Sequence, residues 1–131
     1  MDAKDHVEAI KLTLALSPIV REIDIVRERH LEDRGFFRAR LRLRNEDFLE
    51  VAEFFIIRDD IAVTMEYRHQ WMDATKTVLR RRWDNAPHYP DLPGAPHHVH
   101  IGDNSHVEQS EAMSIIALIS LLERAIDKGA A

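Results

Sequence analysis

The apolar positions of the first 16 residues recur at helical intervals, and the spacing changes after Pro18. One face of the predicted N-terminal helix is apolar and contains Val7, Ile10, Leu12 and Leu14. Ser17-Pro18 ends this helix, because proline disfavours helical backbone in the residue before it. From Ile19 onward apolar and polar residues alternate, which is typical of strands with one buried face.

Short polar turns divide residues 18–83 into about five predicted strands. Turns at 34–35, 45–47 and 58–60 are short enough to join antiparallel neighbours, and a polar link at 73–76 precedes the last short strand. A second helix is predicted over residues 111–128, capped by Ser110, Glu111 or Ser114, with an apolar stripe of Ile115, Leu118, Ile119, Leu122 and Ile126. We therefore predict an α+β fold, an antiparallel meander of about five strands flanked by an N-terminal and a C-terminal helix.

The length of 131 residues suits a single domain over residues 1–131 with its own core. The absence of cysteine excludes disulfides, thiol catalysis and Cys-ligated zinc or iron–sulfur sites. No apolar run approaches the ~18 residues of a membrane span. The charged first turns lack the basic flank and cleavage site of a signal peptide. We expect a cytoplasmic protein that does not associate with membranes.

The net charge of −5 resides at the two ends, because residues 18–85 carry 14 basic and 14 acidic side chains. One predicted strand presents a row of guanidinium groups at intervals of roughly 6.6 Å, namely Arg38, Arg40, Arg42 and Arg44. Such a row could follow a nucleic-acid backbone, with Arg68 on a later strand. The alternative is that acidic residues of the preceding strand form weak surface ion pairs with it, namely Glu22, Asp24 and Glu28.

Residues 84–110 hold five of the eight histidines and have no clear periodicity, which is unusual unless the segment is functional. His98 and His100 share a face if the chain is extended there, whereas His97 points away. They could exchange protons with RNA, one accepting the ribose 2′-hydroxyl proton and the other protonating the departing 5′-oxygen. The spacing also suits zinc or another transition metal, with His88 or Asp103 as third ligand. In a third interpretation the histidines bond to backbone carbonyls and the loop is structural.

Three further residues are candidates for function. Arg82 adjoins the histidine-rich segment and could hold a phosphate bidentately. Glu53 interrupts an apolar strand face and is expected to have a cationic or histidine partner if it is buried. Tyr67 is a candidate catalytic residue on the next strand.

Two motifs resemble the TumE-like family of toxins from type II toxin–antitoxin systems. They are Arg82-Trp83-Asp84-Asn85-Ala86-Pro87-His88-Tyr89-Pro90 and Pro96-His97-His98-Val99-His100-Ile101-Gly102-Asp103, and the resemblance covers roughly residues 18 to 126. The matching motif residues are Asp84, Asn85, His88, His97, His98 and His100. Members often have a second histidine where this chain has Tyr89. They often have His-x-Gln just before Asp73, where this chain reads Gln70-Trp71-Met72, so His69 is displaced by one place.

The resemblance implies a small α+β toxin encoded beside a DNA-binding antitoxin and acting on RNA or translation. Combined with the residue chemistry, it predicts a metal-independent endoribonuclease. The expected catalytic residues are His98, His100, His88, Arg82, Tyr67 and Glu53, and the expected structural motif residues are Asp84, Asn85 and His97. The alternative is a non-enzymatic interaction protein whose histidine-rich loop is structural or binds a metal. An exposed sheet edge or the face of Ile116 and Leu121 could support a homodimer.

Overall fold

The computed structural model describes residues 1–130, and side chains as far as Ile126. Seven antiparallel strands form one sheet in chain order, with a helix before the first strand and another after the last. The elements are α1 (Ala3–Leu16), β1 (Val20–His30), β2 (Arg34–Leu43), β3 (Phe48–Arg58), β4 (Ile61–Met72), β5 (Leu79–Asp84), β6 (His98–Ile101), β7 (Val107–Gln109) and α2 (Ile115–Ala130). The predicted α+β class and meander are confirmed.

The two helices cover one face of the sheet, which we call the inner face. The alternating pattern of β2 and β3 turns every second side chain to this face, where Phe37, Leu41, Leu49 and Val51 are fully buried. The apolar stripe of α2 completes the core with Ile115, Leu118, Ile119 and Leu122. The opposite, outer face carries the polar side chains of the same strands.

The strand count was wrong by two, because the histidine-rich segment 84–110 is not a loop throughout. It contributes β6 and β7, which continue the sheet beyond β5. Single-face periodicity is hard to recognise in strands of four and three residues.

Side-chain caps fix where the helices begin. Asp2 and Asp5 form a reciprocal capping box at the start of α1. The Ser114 hydroxyl accepts from the Ala117 amide at 3.1 Å, so α2 starts at Ile115 rather than at residue 111. Val7 and Ile10 of the predicted α1 face are buried, whereas Leu12 is 59% exposed.

The edge strand β1 has little burial, since every residue after Val20 is exposed. Within residues 1–130, neither helix is long and apolar enough to cross a membrane.

Candidate functional site

Four polar side chains form a compact group on the outer face where β5 pairs with β6. The register places Arg82 opposite His100 and Asp84 opposite His98. Between them, Trp83 faces Val99 on the inner side, and both are buried in the core. Strand alternation therefore brings the two predicted histidines together with the predicted arginine and with Asp84.

Both imidazoles are held by their Nδ1 atoms. Nδ1 of His98 lies 2.9 Å from the carbonyl oxygen of Pro96, and Nδ1 of His100 lies 3.1 Å from that of Asn104. A carbonyl oxygen only accepts hydrogen bonds, so each Nδ1 carries a proton and donates. In the neutral ring, each Nε2 is then the unprotonated nitrogen.

The Nε2 atoms converge on the Asp84 carboxylate. Nε2 of His98 is 2.9 Å from Oδ1 of Asp84, and Nε2 of His100 is 3.7 Å from Oδ2. Asp84 also accepts from the Ala86 amide at 3.1 Å and from Nε of Arg82 at 3.4 Å. The two imidazole rings are nearly perpendicular, with centroids 5.0 Å apart. The two histidines thus lie side by side on one carboxylate.

The group is nearly closed to solvent, with exposures of 1% for His98, 3% for His100 and 7% for Asp84. Burial lowers the pKa of His100, and the neighbouring Arg82 charge acts in the same direction. His100 therefore favours the neutral form, with a lone pair available at Nε2. The Tyr89 ring packs against both imidazoles in T-shaped arrangements, at centroid distances of 4.9 and 5.9 Å.

A groove of about 940 Å³ opens beside this group on the outer face. Its lining combines aromatic rings with cationic or imidazole side chains, namely Phe36, Phe54, Tyr89, Arg68, Arg82 and His88. Aromatic faces stack on bases and guanidinium groups hold phosphates, so the lining suits a nucleotide strand. Arg68, Arg82 and His88 were predicted, whereas the three rings were not.

The arginine row of β2 is partly neutralised by a carboxylate of β3, the neighbouring strand on the side away from β1. Arg38 and Arg40 both bind Glu50 of β3, at 3.1 and 3.0 Å. Burial raises the pKa of Glu50, but the two guanidinium groups outweigh this effect and lower it. Arg42 donates to the carbonyl oxygens of Glu46 and Ala74. Two guanidinium groups share one carboxylate and the third binds carbonyl oxygens, so these three arginines carry more positive charge than Glu50 neutralises.

Tyr67, His97 and Asn85 fasten the segment after β5 to β4. The Tyr67 hydroxyl is 2.8 Å from Nδ1 of His97. Burial raises the pKa of Tyr67 to about 12, with Asp84 adding to the effect, so the phenol stays protonated. Asn85 donates to the carbonyl of Met65 and accepts from the amide of Tyr67, which continues the ladder beyond β5. These contacts connect Asn85 and His97 to Tyr67 and to the backbone of β4.

Glu53 lies on the inner face, away from the Asp84 group, and its predicted cationic or histidine partner was wrong. Its carboxylate accepts from the Ile115 amide at 2.8 Å and from the Thr64 hydroxyl at 2.7 Å. Burial raises the pKa of Glu53, although both hydrogen bonds oppose this. The residue anchors the first turn of α2 to the sheet and does not line the groove.

Asp103 does not join the two histidines as the suggested third metal ligand. Its Oδ1 accepts from the Ser105 amide, the Ser105 hydroxyl and the His106 amide, and so closes the turn before β7. The carboxylate beside the imidazoles is that of Asp84, at the end of β5. Asp84 was predicted to be a structural residue. Its position beside the histidines could have been inferred from the spacing, because Arg82-x-Asp84 matches His98-x-His100 when the two segments pair as strands.

The fold and site define an α+β protein whose open sheet face carries a histidine, aspartate and arginine centre inside an aromatic groove. A family model described as Toxin TumE matches residues 9–129. The chain therefore belongs to the TumE toxin family, and a toxin of this kind has an antitoxin partner in general. The match confirms the resemblance of the two motifs and extends it into α1. Neither the curated proteins nor the solved structures yielded a match.

Proposed function

We propose that this toxin cleaves RNA in the groove beside Asp84, His98 and His100. The main observation behind this proposal is that the group lies beside Arg82, at a groove lined by aromatic rings on which bases could stack. The bases would stack on Phe36, Phe54 or Tyr89, and the backbone would continue toward the arginine row of β2. The register supports this path, because Arg40, Glu50, Gln70, Arg82 and His100 form one row across the outer face.

The proposed reaction is transfer of a phosphodiester to the neighbouring ribose oxygen. The 2′-oxygen forms a bond to phosphorus while the bond to the 5′-oxygen breaks, giving a 2′,3′-cyclic phosphate and a 5′-hydroxyl. One proton leaves the 2′-oxygen and one reaches the 5′-oxygen, so protons balance without a co-reactant. Arg82 and Arg68 hold the charge that gathers on the phosphate.

The site geometry divides the proton transfers differently from the sequence expectation. His98 and His100 contact the same carboxylate. These two histidines and Asp84 therefore act together as the general base that accepts the 2′-hydroxyl proton. His88 lines the groove and is exposed, which suits the group that protonates the departing oxygen.

The test compares Arg82→Ala with Arg81→Ala on single-stranded RNA. Arg81 precedes Arg82 on β5 and pairs with Trp71. Its side chain is exposed on the opposite face of the strand, so it is a matched control. Loss of one donor to the transition state typically costs about 100-fold or more in rate. We expect that loss for Arg82→Ala, near-normal cleavage for Arg81→Ala, and products ending in a cyclic phosphate.

The proposal fails if expression blocks growth while the purified protein leaves RNA intact, both with EDTA and with zinc or manganese. Equal activity of the two arginine variants would also contradict it. The cognate antitoxin, which we propose to be a DNA-binding protein, must be absent from the sample.

A non-enzymatic toxin is the second candidate, and the Nδ1 contacts favour it. The imidazoles clasp the carbonyls of Pro96 and Asn104 and so tie the loops to β6. Asparagine can retain a donor near Nδ1 but lacks Nε2. Toxicity that survives in His98→Asn and His100→Asn, with an unchanged melting temperature, supports a structural role for the two histidines. Toxicity lost under the same conditions supports catalysis.

A further inference from the structure

We propose that Asp84, His98 and His100 bind one divalent transition-metal ion, with zinc as the first metal to test. The inference deepens the proposed function by naming what activates the nucleophile at the same site. It rests on the donor set, the anchoring of both rings, and a buried nitrogen of His98 that has no hydrogen-bond partner.

The three donor atoms are close enough to share an ion. One atom each from Asp84, His98 and His100 lies within 4.8 Å of the others. In a tetrahedral zinc site with bonds of about 2.0 Å, ligand atoms are about 3.3 Å apart. Nε2 of His98 is 2.9 Å from Oδ1 of Asp84 and Nε2 of His100 is 3.7 Å from Oδ2, so each imidazole nitrogen lies near this distance from one of the two carboxylate oxygens. A small side-chain adjustment that brings one carboxylate oxygen within reach of both imidazole nitrogens would complete the ligand set.

The anchoring of the rings matches that of metal-binding histidines. A ligating histidine commonly donates its other ring nitrogen to a carbonyl or carboxylate, which fixes the tautomer and leaves a lone pair for the metal. His98 and His100 do this through Pro96 and Asn104.

The unpartnered nitrogen is Nε2 of His98. It is buried, and within the described part of the chain it has no hydrogen-bond partner. Oδ1 of Asp84 is 2.9 Å away but lies out of line for a hydrogen bond. A lone pair buried beside a carboxylate is costly, and a cation between the two groups removes that cost.

The set of two imidazoles and one carboxylate leaves coordination positions free. Three protein ligands with an open position are typical of catalytic metal sites, whereas structural zinc sites have four. Bound zinc lowers the pKa of a water at that position to about 7, which supplies a proton acceptor at neutral pH.

The experiment measures metal binding by untagged full-length protein after treatment with EDTA. Zinc is titrated by calorimetry, and cobalt is added separately because its visible spectrum reports coordination geometry. We expect one ion per chain, a cobalt spectrum of low coordination number, and a melting temperature that rises with added zinc. Absence of binding in the unaltered protein overturns the proposal.

Three variants assign the ion to this site. His98→Asn, His100→Asn and Asp84→Asn should each lower the zinc affinity at least about 100-fold, because a ligand contributes more than an outer-shell partner, which is worth roughly 10- to 100-fold. His106→Asn is the control, since His106 is exposed and binds Glu108. Binding that survives in all three variants, or that is lost in the control, overturns the assignment. Circular dichroism verifies that each variant is folded.

The metal titration needs no RNA, so the two proposals can fail separately. A protein that binds zinc at these residues but leaves RNA intact refutes the proposed function alone. Cleavage that proceeds in EDTA, by protein that takes up no zinc or cobalt, refutes the metal site alone.

Discussion

The buried histidine of β4 should make the stability of this protein depend on pH. His69 is fully buried on the inner face, between α2 and the sheet. Its Nδ1 accepts from the Ala52 amide at 3.3 Å, and its Nε2 donates to the Met113 carbonyl at 2.8 Å. The neutral ring satisfies both partners. A proton added at Nδ1 would face the Ala52 N–H, so protonation costs a hydrogen bond as well as burial of a charge.

The magnitude follows from the shift in pKa. Burial lowers the pKa of His69 from 6.5 to about 4, although the Met113 bond opposes this. The unfolded chain therefore binds the proton more readily, and the stability from this group is complete above pH 6.5 and is lost as pH falls toward 4. At one pKa unit per 1.36 kcal/mol, the loss is about 2 kcal/mol near pH 5 and about 3 kcal/mol below pH 4.

The assay is urea unfolding of the unaltered protein and of His69→Gln, at pH 7 and pH 5. Glutamine can still reach the Met113 carbonyl but leaves the Ala52 amide unsatisfied, so the variant should be less stable at pH 7 by about 1–3 kcal/mol. The difference between the two proteins should shrink by about 2 kcal/mol at pH 5, because only the histidine can be protonated. Glu53 has a raised pKa and a dependence of opposite sign, but it is present in both proteins and cancels.

A matched control replaces the exposed His30 at the end of β1 with glutamine. This variant should follow the unaltered protein at both pH values. A stability difference between the unaltered protein and His69→Gln that stays constant from pH 7 to pH 5 would refute the assignment of His69 as a buried neutral residue.

Two further predictions concern residues that fix the fold around the site. Glu53→Ala should lower the free energy of unfolding by about 2–4 kcal/mol, because the buried Ile115 amide and Thr64 hydroxyl lose their acceptor. Glu53→Gln retains an acceptor and should lose less, and equal losses in urea unfolding would contradict the capping role. Gly35→Ala should cost about 1–3 kcal/mol by overpacking, since its Cβ would lie 2.5 Å from the ring of the buried Phe55. An unchanged melting temperature for Gly35→Ala would contradict that close packing.

The sheet was predictable over β2 to β4 because its strands are long and one face is apolar. Phe37, Ala39, Leu41 and Leu43 alternate with arginines, and this pattern alone identifies the inner face. The strands β6 and β7 escaped prediction because they are short and follow a proline-rich segment. Their existence depends on pairing with β5, which is a long-range interaction that periodicity does not report.

The candidate site was predictable in its histidines and arginine but not in its carboxylate. His98 and His100 were paired correctly, because residues two apart on a strand share a face. Asp84 is 14 positions before His98, and only the pairing of β5 with β6 brings it beside the imidazoles. Asp103, the nearer acid in sequence, is instead held by the turn that it closes.

Packing on the inner face of the β5–β6 pair fixes the strand register, and the register decides which side chains form the polar group on the outer face. A shift of β6 by one residue would turn Val99 to the groove and both imidazoles into the core. Burial of Trp83 opposite Val99 disfavours that shift, since each then loses its apolar contact. The Nδ1 contacts of His98 and His100 favour the same register from the outer side. One apolar pair on the inner face thus places two histidines, an aspartate and an arginine together on the outer face. It follows that packing changes at Trp83 or Val99 should disturb the site without touching any residue that faces the groove.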